Sequence, residues 1–415
     1  MNKKIGTFLL SGIITGSMLG SGIIILPTLA YEKLGNYSFI AWLAMIFLGA
    51  LYAKVFSTLN ENFSNGLGSA VSFAFGNRFK VLTSYFLIIA VFAGPSVIMV
   101  TIGNYLNEIY TFTNSNIIYP LVFIILGILI LTKNISSIGK ISLVLSILIS
   151  LVLLISSVNI LFFYRQEIEF VSTPKLIDYG QTILMLFWAI VGWEVVGNYS
   201  KDIENPEKTL KKSVKISFIL VNFIYFLTVL ALQFADIEKI LGTNNTTINL
   251  SLLLIPIFGK FGKNIMVFTA VALCMSTYIL FVGSASRLMK ELAEEKQILS
   301  IFSKTAKNNS PYLATIFLAI IHLANVYLIS IGKLNLNILV SFANVFFILN
   351  ALTGVLSAMK ILKGKRNFLI TSTLGSILCI LLMFSSKYIL LVPTILIIYT
   401  YYLDKKEKRL FVKKI

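Results

Sequence analysis

Charged residues are scarce in this sequence. Only 13% of its 415 residues are charged, whereas 57% are hydrophobic, and its mean hydropathy is +0.88. In soluble globular domains roughly a quarter of the residues carry a charge. The deficit excludes a soluble globular protein and indicates an all-α polytopic membrane protein, because long apolar runs are typical of membrane-spanning helices.

Cysteine and histidine are nearly absent as well. The two cysteines, Cys274 and Cys379, lie in apolar runs without the spacing of metal ligands, which excludes a disulfide framework and a zinc site. We interpret both as small core residues. His322 is the single histidine and has no cysteine or carboxylate near it in the sequence. A polar contact inside a helix explains it better than a metal role, so we predict no metal site and no cofactor.

Sets of catalytic residues are also missing. The sequence contains no combination of nucleophile, base and metal ligands and no phosphate-binding loop, so we do not expect an enzyme. A channel would need rings of like residues around a continuous pore, and nothing in the chain repeats in that way. The net charge of +18 could suggest nucleic acid, but the basic residues are confined to short connections between apolar runs. We therefore expect a lipid bilayer around the chain and no nucleic acid partner.

The sequence does contain about twelve apolar runs. A membrane-spanning helix needs about 20 apolar residues. On that basis the predicted spans cover residues 5–30, 37–58, 82–107, 117–132, 138–163, 179–200, 213–235, 264–286, 312–331, 335–359, 367–385 and 388–403. The first run follows Lys3 and Lys4 as in a signal peptide, but it is longer than the apolar region of a signal, about 7 to 15 residues. We predict a retained first span.

The basic residues give the expected orientation. If the N-terminus lies in the cytoplasm, most of the 35 Lys and Arg residues fall in cytoplasmic segments, as the positive-inside rule requires. We predict a multi-pass protein of the cytoplasmic membrane, of bacterial type, with both termini in the cytoplasm and a basic tail over residues 404–415. In the inner segment 290–310 we predict a short surface helix.

Two predicted spans are interrupted. Gly20-Ser21-Gly22 lies in the middle of span 1, and residues 189–192 lie in the middle of span 6. Interrupted helices five spans apart are typical of transporters built from an inverted repeat, with the substrate site between the repeats. We predict a first repeat over residues 1–163, a second over 164–366 and two extra spans over 367–403. For the glycines alone, close helix packing is an alternative.

The two interruptions have the chemistry of an amino acid site. Lipid cannot pair the backbone groups that an unwound helix frees, so a break persists where it lines a cavity. The half-helix after Gly22 presents N–H groups and a positive dipole end, which suit a carboxylate. The half-helix that ends near Ala189 presents carbonyl groups, which suit an ammonium. A zwitterionic amino acid satisfies both.

Several residues in the spans leave alternatives open. Glu194 is the one carboxylate deep in a span, where a charge costs about 2.5 to 3.5 kcal/mol, and it serves either as a proton-coupling acid or as a structural group. Trp188 is either a gate or a packing residue, and Gly94-Pro95-Ser96 either kinks span 3 or lines the pocket. Four hydroxyls of span 8 either line a cation site or bond their own helix, namely Ser276, Thr277, Ser284 and Ser286.

Four short motifs stand out in the first three quarters of the chain. They are Gly20-Ser21-Gly22-Ile23, Asn65-Gly66-Leu67-Gly68, Phe187-Trp188 through Gly192-Trp193-Glu194, and Glu204-Asn205-Pro206-Glu207. Their order and spacing resemble the amino acid, polyamine and organocation transporter superfamily over roughly residues 5 to 300. Within it, the short length and the tail motifs resemble the branch of bacterial methionine and branched-chain amino acid exporters. These motifs are Asn335, Ser341-Phe342-Ala343-Asn344 and Lys363-Gly364-Lys365.

The resemblance implies a leucine-transporter-type fold, with a five-plus-five inverted repeat, that works by alternating access. By similarity, the first motif, Gly20, Ser21, Gly22 and Ile23, would bind the substrate carboxylate. The substrate amine would meet carbonyls in the second stretch, which comprises Phe187, Trp188, Ala189, Ile190 and Val191. Trp188 takes the position of an aromatic gate, and Glu194 that of an acid in the gating network.

The expected function is secondary transport of neutral hydrophobic amino acids, namely methionine, leucine, isoleucine and valine. The apolar company of Ile23, Ile190 and Val191 disfavours a cationic side chain in the pocket. We expect export, with import or exchange as alternatives, by a monomer or homodimer. Some proton-coupled relatives carry a lysine within span 5, where this chain has none beyond Lys140. Proton coupling stays open, and sodium is not favoured.

Overall fold

The fold was analysed in a computed structural model that describes residues 4–63, 67–133, 135–167, 173–193, 196, 203–241, 250–306 and 309–412. This part of the chain is almost entirely helical, and its only β contacts are two isolated bridges, one between Ile5 and Ile203 and one between Arg165 and Ala235. Its α-helices are α1 Thr7–Leu34, α2 Ser38–Asn62, α3 Leu67–Phe75, α4 Asn77–Ile109, α5 Ser115–Leu131, α6 Ile135–Phe163, α7 Leu176–Leu186, α8 Pro206–Phe234, α9 Ile237–Leu241, α10 Ser251–Phe258, α11 Gly262–Glu294, α12 Tyr312–Ser330, α13 Leu336–Ile361, α14 Lys365–Met383 and α15 Lys387–Val412.

Twelve of these helices match the predicted spans. Eight apolar stretches of the described chain are long enough to cross a membrane, and one of them, Thr7–Leu59, contains both α1 and α2. Three shorter apolar helices, Ser115–Leu131, Leu176–Ile190 and Lys387–Leu403, complete the set. The prediction of a polytopic helical protein is confirmed, because the length of an apolar run is a strong local signal.

Burial separates an inner group of helices from an outer one. The most apolar windows of α4 and of the α10–α11 stretch are 83% and 78% buried, whereas those of α12 and α14 are 33% and 28% buried. The outer helices expose large apolar side chains such as Ile320 and Met383. Such a surface suits lipid. The interior of the bundle is formed by α1, α4, α11 and α13.

The connecting segments add short helices on both sides of the bundle. On the predicted cytoplasmic side, α3 follows α2, and Lys360 of α13 donates to the Ala74 carbonyl at 2.6 Å. On the predicted outer side, α9 and α10 precede α11. The prediction of a short surface helix in residues 290–310 was wrong about where that helix begins, because α11 itself continues to Glu294. Its acidic end forms an ion pair with α4, where Lys80 Nζ lies 2.8 Å from Glu291.

Candidate functional site

The first break lies in α1 at Gly20. Its backbone has φ 27° and ψ −146° within an otherwise helical segment. This conformation is open to glycine and strained for other residues. A Cβ atom at this position would also overlap the Thr277 hydroxyl of α11. Both the backbone conformation and the close approach of α11 therefore require glycine.

Hydroxyl groups from two other helices pair the backbone groups near this break. Tyr225 of α8 donates to the Met18 carbonyl at 3.0 Å. The Thr277 hydroxyl lies 3.0 Å from the Ser17 carbonyl and accepts from the Ser21 N–H at 3.4 Å. The expectation placed free N–H groups after Gly22, but the helix turns at Gly20 and the Ser21 N–H already has a partner. Thr277, one of the predicted span 8 hydroxyls, thus faces the break and does not serve its own helix alone.

The second break follows α7. This helix ends at Leu186, and Phe187–Ile190 continues as a short 3₁₀ helix. Val191 is then extended, with ψ 134°, and Gly192 has φ 135°. The helix was expected to end near Ala189, so the α-helical part stops about one turn earlier. Trp193 is buried, whereas Glu194 lies outside the described residues.

The two breaks touch each other. Trp188 Nε1 donates to the Ser21 hydroxyl at 3.0 Å, and Ala189 Cα lies 3.3 Å from the position of a Cβ built on Gly22. We call this contact, formed by residues 20–23 and 187–191, the junction. It brings together the two stretches that the sequence predicted as one site.

Several residues of the junction bury apolar side chains in the core. The side chain of Phe187 is buried and lies edge-on to Tyr52 of α2, with ring centroids 5.9 Å apart. The Ile190 side chain packs on Gly49 of the same helix. Ile23 and Val191 are buried as well. These apolar side chains fix the two breaks within the core, so the polar groups of the junction are its main chain, the Ser21 hydroxyl and the Trp188 indole N–H.

Trp188 connects the junction to α4 and α13. Its ring rests on Gly94 of α4, where a built Cβ would lie 2.9 Å from Trp188 Cη2. Its other neighbour is Phe347 of α13, edge-on with centroids 6.0 Å apart, and Phe281 of α11 packs on Phe347 at 5.2 Å. The indole is partly buried and occupies a place where four helices meet.

Two residues next to the breaks were not predicted as site residues. Tyr225 was not singled out, and Asn344 was used only as a branch motif. Asn344 of α13 donates to the Leu184 carbonyl at 3.0 Å and so caps the last turn of α7. An amide in an apolar helix is a usable signal for such a role, whereas one of 18 tyrosines is not.

A cavity of about 640 Å³ lies on the predicted outer side of the junction. Its walls come from α1, α7 and α13 and from the end of α14, and they include Glu32, Lys33, Gln181 and Ser341. Leu184, which Asn344 caps, also lines it. The cavity therefore offers charges of both signs and uncharged polar groups close to the second break.

Comparison with known proteins identifies the family. A sequence profile of the amino acid permease family matches residues 5–404. The chain belongs to this family. It is accordingly a multi-pass membrane transporter and not an enzyme. The predicted orientation of its termini and the predicted repeat boundaries stay predictions.

Two curated relatives have transport functions. The chain is 25% identical to the L-methionine/branched-chain amino acid exporter YjeH of Escherichia coli, over 90% of this chain and 89% of that protein. It is 23% identical to the putrescine transporter PotE of Haemophilus influenzae, over 76% of this chain and 74% of that protein. The first relative agrees with the branch that the tail motifs suggested.

A solved structure shows the fold. A substrate-bound, outward-open Na⁺-coupled sialic acid symporter superposes with a TM-score of 0.63, over 93% of this chain and 90% of that chain. The two sequences are 11% identical, so the likeness concerns the fold alone. It confirms the predicted leucine-transporter-type architecture.

Proposed function

We propose that this permease carries neutral hydrophobic amino acids, namely methionine, leucine, isoleucine and valine, by alternating access. The observation that carries the proposal is the junction. Residues 20–23 and 187–191 include no charged side chain, and their described contacts with Gly94, Tyr225 and Thr277 add none. Such a site has backbone groups for the two ends of a zwitterion and apolar surroundings for its side chain.

A diamine is the less favoured substrate, although one relative is a putrescine transporter. A second ammonium buried in the site would need an acidic partner, because an unpaired buried charge is costly. The junction offers none. Counterflow in proteoliposomes tests the choice. Vesicles loaded with unlabelled leucine, methionine, isoleucine or valine should accelerate entry of labelled L-leucine, whereas loading with putrescine should not. Acceleration by putrescine and not by leucine would overturn the proposal.

Export is the direction that we propose, supported by the similarity to an amino acid exporter. Cells supplied with a methionine dipeptide release methionine inside, so expression of an exporter should lower their internal methionine. The Gly20→Ala variant, in which Thr277 would be displaced, provides the matched control. Faster accumulation of external labelled methionine would instead indicate an importer.

For Glu194 we propose a structural role that holds the second break, with proton coupling as its alternative. If Glu194 couples protons, Glu194→Gln should abolish transport driven by a pH gradient while leaving leucine counterflow, which needs no gradient. Glu207→Gln, at an exposed position in the first turn of α8, is the control and should leave both activities unchanged. If Glu194→Gln keeps the pH response, the carboxylate has no part in coupling.

A further inference from the structure

A proline inside α4 removes one hydrogen bond of that helix. Pro95 has no N–H, so the carbonyl four residues earlier, that of Val91, loses its helical donor. Val91 is fully buried. In membrane bundles a carbonyl freed by proline is paired again by a neighbouring helix, a Ser or Thr side chain or an ordered water, so the Val91 carbonyl needs a partner other than its helical donor.

His322 of α12 provides that partner. Its Nε2 lies 2.8 Å from the Val91 carbonyl oxygen. Since a carbonyl can only accept, Nε2 carries the hydrogen, and the neutral ring presents Nδ1 as an acceptor. Tyr278 of α11 lies 3.1 Å from Nδ1 and donates to it. The ring is fully buried and is fixed from both sides.

A second side chain of α12 pairs with the next carbonyl of α4. Asn325 Nδ2 lies 2.8 Å from the Phe92 carbonyl and 3.0 Å from the Ser96 hydroxyl. Asn325 follows His322 by three residues, so both side chains lie on one face of α12. Two consecutive carbonyls next to Pro95 are thus held by α12.

The same segment of α4 carries the contact with the junction. Gly94 precedes Pro95, and the Trp188 ring rests on it. Trp188 in turn donates to Ser21 of the first break. A shift of α4 at Gly94 would therefore move the indole and its hydrogen bond with the junction.

We propose that His322 is a positioning residue for the substrate site, which pairs the carbonyl freed by Pro95 and so fixes the α4 segment that supports Trp188. The role depends on one hydrogen bond from Nε2 and not on the bulk of the ring. Its consequence for transport rests on the proposed function, whereas its consequence for α4 does not.

Two substitutions separate the hydrogen bond from the ring. His322→Gln retains an N–H donor, and His322→Phe retains a ring without one. Labelled L-leucine counterflow should show a half-saturation concentration about 3- to 18-fold higher in His322→Phe, which corresponds to the average and the largest interhelical hydrogen bonds measured in membranes. The change in His322→Gln should be smaller. Equal effects of the two substitutions would overturn the proposal.

Pro95→Ala offers a sharper comparison. An alanine at this position restores the N–H that pairs with the Val91 carbonyl, so the fold-change caused by His322→Phe should be smaller in that background. The part that remains reflects the Tyr278 hydroxyl, which loses its acceptor in both backgrounds. Leu318→Ala, which removes a fully buried side chain from the same helix α12, is the packing control and should act equally in both backgrounds. If His322→Phe causes the same fold-change with and without Pro95, the hydrogen bond from Nε2 has no positioning role.

Hydrogen exchange measured by mass spectrometry tests α4 without transport. Amides around residues 91–96 should exchange faster in His322→Phe than in the wild type, and Pro95→Ala should remove the difference. Should leucine counterflow fail while this pattern appears, the substrate proposal is wrong and the role of His322 stands. Unchanged exchange in His322→Phe would contradict the inference, whatever the protein transports.

Discussion

Glycine residues determine where the two helices of the junction break. Gly20 takes a backbone conformation that other residues adopt only with strain, and Gly192 does so in the second break. A Cβ at Gly192 would overlap Met18, as a Cβ at Gly20 would overlap Thr277. At both breaks a neighbouring side chain occupies the space that a Cβ would need. Each break therefore depends on a residue without a Cβ atom.

Gly20→Ala should abolish leucine counterflow. The added Cβ displaces Thr277 in addition to straining the backbone, whereas Gly35→Ala places a Cβ at a similar conformation, φ 55° and ψ −137°, with nothing within 4 Å. Gly35→Ala should cost only about 1–3 kcal/mol of backbone strain and keep its transport. Equal loss of transport and of thermal stability in the two variants would show that the contact with Thr277 is unimportant.

Trp188→Phe and Ser21→Ala should have similar effects, because each removes one partner of the same hydrogen bond. We expect each to raise the half-saturation concentration about threefold, as for an average interhelical hydrogen bond in membranes, and the double variant to add nothing further. Trp188→Ala should transport more slowly than Trp188→Phe, since it also removes the ring between Gly94 and Phe347. Additive effects of the first two substitutions in counterflow would refute the coupling.

At the scale of elements, α8 holds the first half of α1 along one face. Ser213 donates to the Thr7 carbonyl at 2.9 Å, Ser217 to the Ser11 carbonyl at 3.1 Å and Tyr225 to the Met18 carbonyl. The three donors are spaced by multiples of four, so they lie on one side of α8.

Tyr225→Phe should lower the stability of the folded protein by about 0.6 to 1.7 kcal/mol, the range measured for hydrogen bonds between membrane helices. The cause is an acceptor at the first break that loses its donor. Tyr327→Phe, at a position on α12 that is 54% exposed, is the control and should leave the thermal midpoint in detergent unchanged. A midpoint that falls equally in both variants would argue against the role of the Tyr225 hydroxyl.

The sequence predicted elements better than it predicted contacts between them. The twelve spans follow from apolar length, and the start of α8 follows from Pro206 in its first turn, because both signals are local. The end of α7 at Leu186 was not predicted, since it depends on the amide of Asn344, 160 residues away.

The candidate site could likewise be predicted only where its signal is local. Gly20 and residues 187–190 follow from their own interruption of the spans. Gly94-Pro95-Ser96 interrupts span 3 and offered pocket lining as one of two alternatives. Tyr225 and the contact of Gly94 with Trp188, in contrast, follow only from the packing of α8 and α4 against the two breaks. No periodicity within a single span contains that information.

At the scale of the whole molecule, the charge pattern and the number of spans together predict the orientation of the chain in the membrane. Twelve spans would place both termini on one side of the membrane, and the basic residues predict that this side is the cytoplasm. A green fluorescent protein fused after Ile415 should therefore fluoresce in bacteria, whereas alkaline phosphatase fused there should be inactive. Fusion at residues 242–249, within the predicted outer segment 236–263 between the spans 213–235 and 264–286, is the matched control and should reverse both results. An active phosphatase at the C-terminus would place that terminus outside and contradict the predicted orientation.

The start of α1 is joined to the segment before α8 through main-chain atoms, where the Glu204 N–H donates to the Ile5 carbonyl at 2.9 Å. A join of this kind does not depend on which side chain follows at the exposed position 204. Mutational drift there can alter the charge of the predicted cytoplasmic surface while the attachment of α1 persists. The charge of this surface can thus evolve separately from the helices beneath it.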